Sequence, residues 1–169
     1  TKTGLASSGC SAQIQSLITL GIIKKETPLT EGIKSRKTLY TLEDFMFLFW
    51  YRFVRPNLSG IMRGIGETIY EVSVKPQISH FMGYIFEEIC KQYLYLPQIY
   101  MILPFPTGEF GRWWGNNPKK KRQEEIDLMA ENGSEAIFGE CKWRNEPADV
   151  DILETLQERS GLFHYQKQS

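Results

Sequence analysis

The 169-residue sequence predicts a mixed α/β chain of the α+β kind, built in two modules. Three observations carry that expectation. An apolar-periodic helical run near the N-terminus is followed by two short strand-like pieces. Beyond residue 80 a helical run, three strand-like stretches and a final helical run follow in that order. Between the second and third of those stretches, Asn132-Gly133 separates two apolar-rich runs, the strongest short-range signal for a hairpin.

The first helix is read from "SAQIQSLITLG", where Ile14, Leu17, Ile18 and Leu20 fall close to one face and Gly21 ends the run. "GIIKKETPL" and "KTLYTL" are the two strands, and the polar, basic "TEGIKSRK" lies between them. A helix followed by such a hairpin reads as the second half of a winged helix over residues 1–56. A complete one needs further helices in front, so an excised fragment is expected. Thr41 can cap the next helix, "LEDFMFLFWYRFVR", with Glu43 and Asp44 in its first turn and Pro56 as its stop. That helix is apolar nearly all round, as a buried helix between domains would be. Residues 57–79, with scattered glycines and Pro76, read as a connector.

A second module spans residues 80–169. "HFMGYIFEEICKQYLYL" puts Phe81, Ile85, Phe86, Ile89 and Tyr93 on a broad apolar face, with Glu87, Glu88 and Lys91 at its edge. A proline-broken stretch leads to the aromatic strand "GRWWG", the basic loop "NNPKKKR", the acidic hairpin and the helix "ADVDILETLQERSGLF".

Composition excludes several classes. No run approaches the roughly 20 apolar residues of a membrane span, and "TKTGLASSGC" has no apolar core of a secretory signal. Cys10, Cys90 and Cys141 share no metal spacing, which suits reduced, cytoplasmic thiols. The formal charge is zero, although residues 1–60 carry 8 basic and 4 acidic side chains of the 20 of each sign. "GLASSGCS" misses the phosphate-loop pattern by its lysine, with Cys10 in that position, so no nucleotide site is expected. His80 and His164 read as ordinary helix-end or surface residues, and Trp113, Trp114 and Trp143 as packing.

The hairpin carries the candidate chemistry. A two-residue Asn132-Gly133 turn would set Glu131 opposite Ser134, Asp127 opposite Phe138 and Glu125 opposite Glu140. Glu125, Asp127, Glu140 and Lys142 then share one face, and Ile126, Leu128, Ala130, Ile137 and Cys141 the other. Opposed like charges destabilise a strand pair. A Mg²⁺ or Mn²⁺ ion would relieve them, taking one or two carboxylates and keeping its waters. A solvated acidic face with Lys142 paired to Glu140 accounts for the same pattern, and the residues alone leave both readings open.

"EEID", a hairpin and "GECKW" resemble the D…ExK core of the PD-(D/E)XK nuclease superfamily, whose element order is αβββαβ. The resemblance implies metal-binding roles for Asp127 and Glu140 and for the backbone carbonyl of Cys141. It implies a water-positioning role for Lys142 and an accessory acid at Glu87, with Glu88 as the alternative. By the same likeness the core is restriction-endonuclease-like and lacks its last strand, since the chain stops at "HYQKQS". "FMFLFWYRFVRPN", "YIFEEIC", "GRWWG", "EEID" and "GECKW", in this order, resemble the C-terminal region of archaeal-type P-loop ATPases, where a winged helix and a nuclease-like domain follow the ATPase. That ATPase is missing from this chain.

The resemblance implies a cytoplasmic, Mg²⁺-dependent DNA phosphodiesterase, with Lys119, Lys120, Lys121 and Arg122 meeting the DNA backbone. An adaptor that keeps the fold only to bind DNA, protein or a sister subunit is the alternative. A regulator of the ATPase is a third reading, and a homo-oligomer is left open. Gln157, on the final helix, corresponds to a supporting polar residue in some relatives but reads as solvated.

Overall fold

The computed structural model describes residues 7–31 and 35–167, and within these not the side chains of residues 7, 8 and 164–167. Residues 1–6, the wing tip at 32–34 and the His164 side chain therefore lie outside the described residues, as does the start of the phosphate-loop near-miss. The chain is mixed α+β with two small antiparallel sheets, one of two strands and one of three. It divides into two units, Thr1–Glu26 with Arg36–Ile78, and Thr27–Ser35 with Ser79–Ser169.

In the first unit, helix α1 (Ser7–Thr19) ends at Gly21, whose φ of +69° is the left-handed conformation that glycine adopts without strain. The N–H groups of Gly21 and Ile22 donate to the carbonyls of Ile18 (2.9 Å) and Leu17 (3.0 Å), the paired bonds of a Schellman cap. Strands β1 (Ile23–Glu26) and β2 (Leu39–Leu42) follow, antiparallel, with Ile23 opposite Leu42. Thr41 lies inside β2 opposite Lys24, so it does not cap the next helix. The extended backbone reaches Leu42, and the cap passes to Asp44. Its carboxylate accepts from the N–H groups of Met46 (2.8 Å) and Phe47 (3.1 Å) at the start of α2 (Phe45–Phe49).

Pro56 does not stop the helical path either. A π turn (Trp50–Val54) leads into a 3₁₀ turn (Arg55–Asn57), where Pro56 stands in a first turn and its missing N–H costs nothing. Helices α3 (Leu58–Met62) and α4 (Gly66–Ile69) and a second π turn (Tyr70–Val74) make residues 57–79 largely helical. Of the aromatic run expected to be buried, Phe53 is buried while Phe49, Trp50 and Tyr51 are exposed.

Helix α5 (Lys75–Leu94) carries the chain into the second unit, followed by the short α6 (Pro97–Tyr100). Phe81 is buried, but Ile89 and Tyr93 are exposed, so the apolar face of α5 is narrower than its spacing suggests. Strands β3 (Gly111–Asn117), β4 (Arg122–Glu131) and β5 (Ala136–Gly139) form an antiparallel sheet with β4 in the middle, and α7 (Val150–Lys167) follows.

Both faces of β4 are covered. Ala130 packs with Phe105, Phe110, Ile137 and Leu94 of α5. Ile126 and Met129 pack with Trp113, Phe138, and Leu156 and Phe163 of α7. The earlier segment Thr27–Ser35 also belongs to this unit. The N–H of Leu29 donates to the Arg112 carbonyl at 2.9 Å, Pro28 is fully buried, and a Cβ on Gly111 would meet Leu29 Cδ1 at 3.0 Å.

Candidate functional site

The acidic hairpin forms in a register different from the expected one. Glu131 faces Ala136 and Met129 faces Phe138, and the Asn132 N–H donates to the Glu135 carbonyl at 3.1 Å. The tip is therefore Gly133-Ser134, with Gly133 at φ +91°. The Asn132 carboxamide oxygen decides this shift. It accepts from the N–H groups of Ser134 (3.0 Å) and Glu135 (2.8 Å), an arrangement that needs Asn132 below the tip. Relative to the expected pairing each residue meets a partner two positions further on, which preserves the faces along this pair of strands.

A bulge then changes the faces. Met129 lies opposite Gly111 and Ile126 opposite Trp113, so β4 spends three residue steps where β3 spends two. The extra residue falls at Asp127–Leu128, across from Arg112. Bulges re-aim side chains and are enriched beside functional sites. Beyond it, Glu124 and Ile126 turn toward α7 while Glu125 turns to Arg112. The expected single face holding Glu125, Asp127, Glu140 and Lys142 is thus split in two by this kink.

On the α5 side, Glu87 projects from the helix toward Arg112 of β3, whose Nε lies 3.7 Å away, and the same guanidinium bonds Glu125 at 3.1 Å. Burial, then the negative charge of Asp127, pushes the Glu87 carboxyl up to about 7, against the pull of Arg112. Burial also lifts the Asp127 carboxyl, although one of its oxygens accepts the Cys141 N–H at 2.8 Å; Glu140 adds to the rise and Lys142 opposes it. The Cys141 thiol is raised by burial, by the neighbouring Cys90 thiol and by Asp127 and Glu87. Glu87, Asp127 and Cys141 are therefore brought together around the end of β5.

On the α7 side, Glu140 is nearly buried. It accepts from Arg159 Nη1 at 3.1 and 3.0 Å and from Lys142 Nζ at 2.5 Å. Arg159 Nε reaches back to Glu124 at 3.2 Å, and Arg122 Nε bonds the other Glu124 oxygen at 2.7 Å. Burial alone would lift the Glu124 carboxyl, but the hydrogen bond and charge of Arg122, with Arg159 and Lys120, hold it below its ordinary value. For Arg159 burial works against the charge, yet Glu140 and then Glu124 bind the proton more firmly.

The balance of direct contacts is lopsided. Glu124 and Glu140 share three cations, Arg122, Arg159 and Lys142. Glu87 and Glu125 meet Arg112, and the hydrogen bond to Asp127 comes from the neutral N–H of Cys141. Mg²⁺ or Mn²⁺ needs one or two carboxylates and retains several waters, so Glu87, Asp127 and the Cys141 carbonyl suit such an ion in number and chemistry. Glu140 does not join them while Arg159 and Lys142 hold it. Among the described residues no group of three or more Asp, Glu, His or Cys side chains is placed to hold a metal ion.

Of the four loop cations, Lys120 pairs with Glu158 (2.7 Å) and Arg122 with Glu124, while Lys119 and Lys121 are exposed at the β3–β4 turn. Trp113 and Trp114 are buried. Trp143 is exposed and tilts against Phe86 at 5.5 Å. Gln157 is exposed on α7.

The DUF234 family, described as archaeal and bacterial proteins of unknown function, matches residues 50–158. The chain belongs to that family. The matched DUF234 region takes in Glu87, the bulged β4 strand and the segment from Glu140 to Lys142. An uncharacterized protein of Methanocaldococcus jannaschii is 34% identical over 171 residues, which is 97% of this chain and 37% of that protein. The chain thus spans little more than a third of the length of that relative. No solved structure matches it. Among the described residues no helix is long and apolar enough to cross a membrane.

Sequence reasoning missed Arg112, Glu124, Cys90 and Arg159. A signal for Arg159 existed. It stands three residues after Leu156 and four before Phe163, on the stripe of α7 that meets the core, where a charge requires a buried partner.

Proposed function

We propose that the second unit is a divalent-cation-dependent phosphodiesterase acting on DNA, with Glu87 and Asp127 as the cation's carboxylates and the Cys141 carbonyl beside them. The observation that carries this reading is the pair of raised acids, Glu87 and Asp127. Both carboxyls are raised by burial, Glu87 also by Asp127 and Asp127 also by Glu140, and beside a strand bulge a divalent ion would offset this more fully than Arg112 and Lys142 do. The ion would supply an acidified water and draw charge from the phosphate.

The chain's own residues do the remainder. Burial and Asp127 push the Glu87 carboxyl up to about 7 in the metal-free chain, so cation uptake near neutral pH would be coupled to loss of its proton. Lys142 is oriented by its contact with Glu140 and would face the phosphate as a cation. Lys119 and Lys121 supply backbone contacts without first breaking the ion pairs that hold Lys120 and Arg122. The helix and hairpin of the first unit are the DNA-guiding part, a partial winged helix, and the nuclease-like core is of the PD-(D/E)XK kind. The ATPase that the sequence resemblance implies would work beside them.

The test is calorimetry with Mg²⁺ and Mn²⁺ on the natural chain and on Asp127→Asn, which keeps an oxygen for the Cys141 N–H. Binding lost in a folded Asp127→Asn supports the reading. Cleavage of DNA should then disappear in Asp127→Ala and in Lys142→Ala. One observation favours a second reading: Glu140 is saturated by Arg159 and Lys142, as a core retained only for binding would tolerate. Cation-independent DNA binding, with no metal uptake by the natural chain, would select that adaptor instead.

A further inference from the structure

We propose that Arg159 is a built-in competitor for Glu140: its guanidinium holds that carboxylate away from the cation site on Glu87 and Asp127, and so limits how many carboxylates a divalent ion gathers there. This rests on the cation reading above. It makes Arg159 a positioning residue that acts through Glu140.

The geometry supports competition rather than simple surface pairing. Arg159 rises from the core-facing stripe of α7, so the packing of Leu156 and Phe163 fixes where its stem begins. Its Nη1 donates to both oxygens of Glu140 and its Nε to Glu124, and both glutamate side chains are less than a tenth exposed. Asp127 accepts the N–H of Cys141, the residue that follows Glu140, at 2.8 Å, so the Glu140 backbone stands beside the Asp127 carboxylate. A guanidinium stays protonated throughout the working pH range, so it remains a cationic partner for Glu140. A dication sharing that carboxylate would meet the guanidinium in a poorly solvated site, where like charges repel more strongly than in water. Lys142, more exposed and held by a single contact, is the weaker restraint.

A purely architectural ion pair makes a different prediction, because removing it would loosen the site and weaken the ion. Mn²⁺ binding is measured by calorimetry on the full chain, on Arg159→Gln, on Arg159→Lys and on Arg159→Gln with Glu140→Gln, each checked for folding by circular dichroism. Arg159→Gln is expected to bind Mn²⁺ about tenfold more tightly. The double variant should return to the natural affinity, and Arg159→Lys, with its single point of contact, should fall between. Unchanged or weaker affinity in a folded Arg159→Gln overturns the proposal while leaving the cation site standing. If that variant does not fold, unchanged affinity in Arg159→Lys overturns it equally. No Mn²⁺ binding in any of the four proteins overturns both readings.

Discussion

Glu87 shows how far one side chain can be read. The sequence put it at the edge of an apolar helix face, and the structure finds it three-quarters buried with its carboxyl pushed up to about 7. The sign of its effect follows. Between pH 4.5 and 7 the folded chain keeps a proton that the unfolded chain has released, so this contribution favours folding below that window and is lost as pH rises through it. Glu87→Gln should therefore match the natural protein at pH 4 and exceed its stability at pH 8 by up to about 3 kcal/mol in metal-free buffer. Urea melts at the two pH values measure the difference. Equal stability at pH 8 would mean that Glu87 is better solvated than its neighbours suggest. The acids of the candidate strand and of the segment after the hairpin stood out because a charged strand next to a turn is conspicuous, whereas Glu87 stood out only through the family resemblance. Their cationic partners did not stand out, because Arg112 and Arg159 come from a strand and a helix whose approach only the folded chain defines.

At the scale of elements, the helix–hairpin order of the first unit and the helix, three strands and helix of the second were legible from periodicity and turn residues. Boundaries were not. Thr41 went into a strand, Asp44 became the cap, and Pro56 sat in a turn rather than ending one, since each depends on where the neighbouring element stops. The hairpin tip slipped for a comparable reason, as Asn132 can sit in a turn or brace it from below. Two substitutions test the turns. Gly133→Ala, at φ +91°, should cost about 1 kcal/mol of stability. Lys121→Gly, at φ +51° in the β3–β4 turn, should gain up to about 1 kcal/mol. The Lys121 change should also lower the slope of DNA affinity against salt by about one charge if that lysine meets phosphate. A stabilised variant with an unchanged slope would assign Lys121 to the turn alone.

For the molecule as a whole, periodicity gave no hint that the second unit borrows Thr27–Ser35 from between the two strands of the first. Leu29→Ala should lower the stability of that unit by about 2–4 kcal/mol, because its side chain packs on Gly111 and against the cluster around Trp113 and Met129. Differential scanning calorimetry on the full chain reads this out; a shift below a degree would show that the segment is merely draped over the sheet. This borrowed strip also bears on synthesis. Pro28 and Leu29 leave the ribosome some 80 residues before Gly111 and Arg112, an interval of roughly 4–16 s at elongation rates of about 5–20 residues per second. During that wait the strip has no strand to settle on, and the hairpin growing around it must form without trapping it. The order in which the chain emerges thus runs against the order in which its parts can be completed.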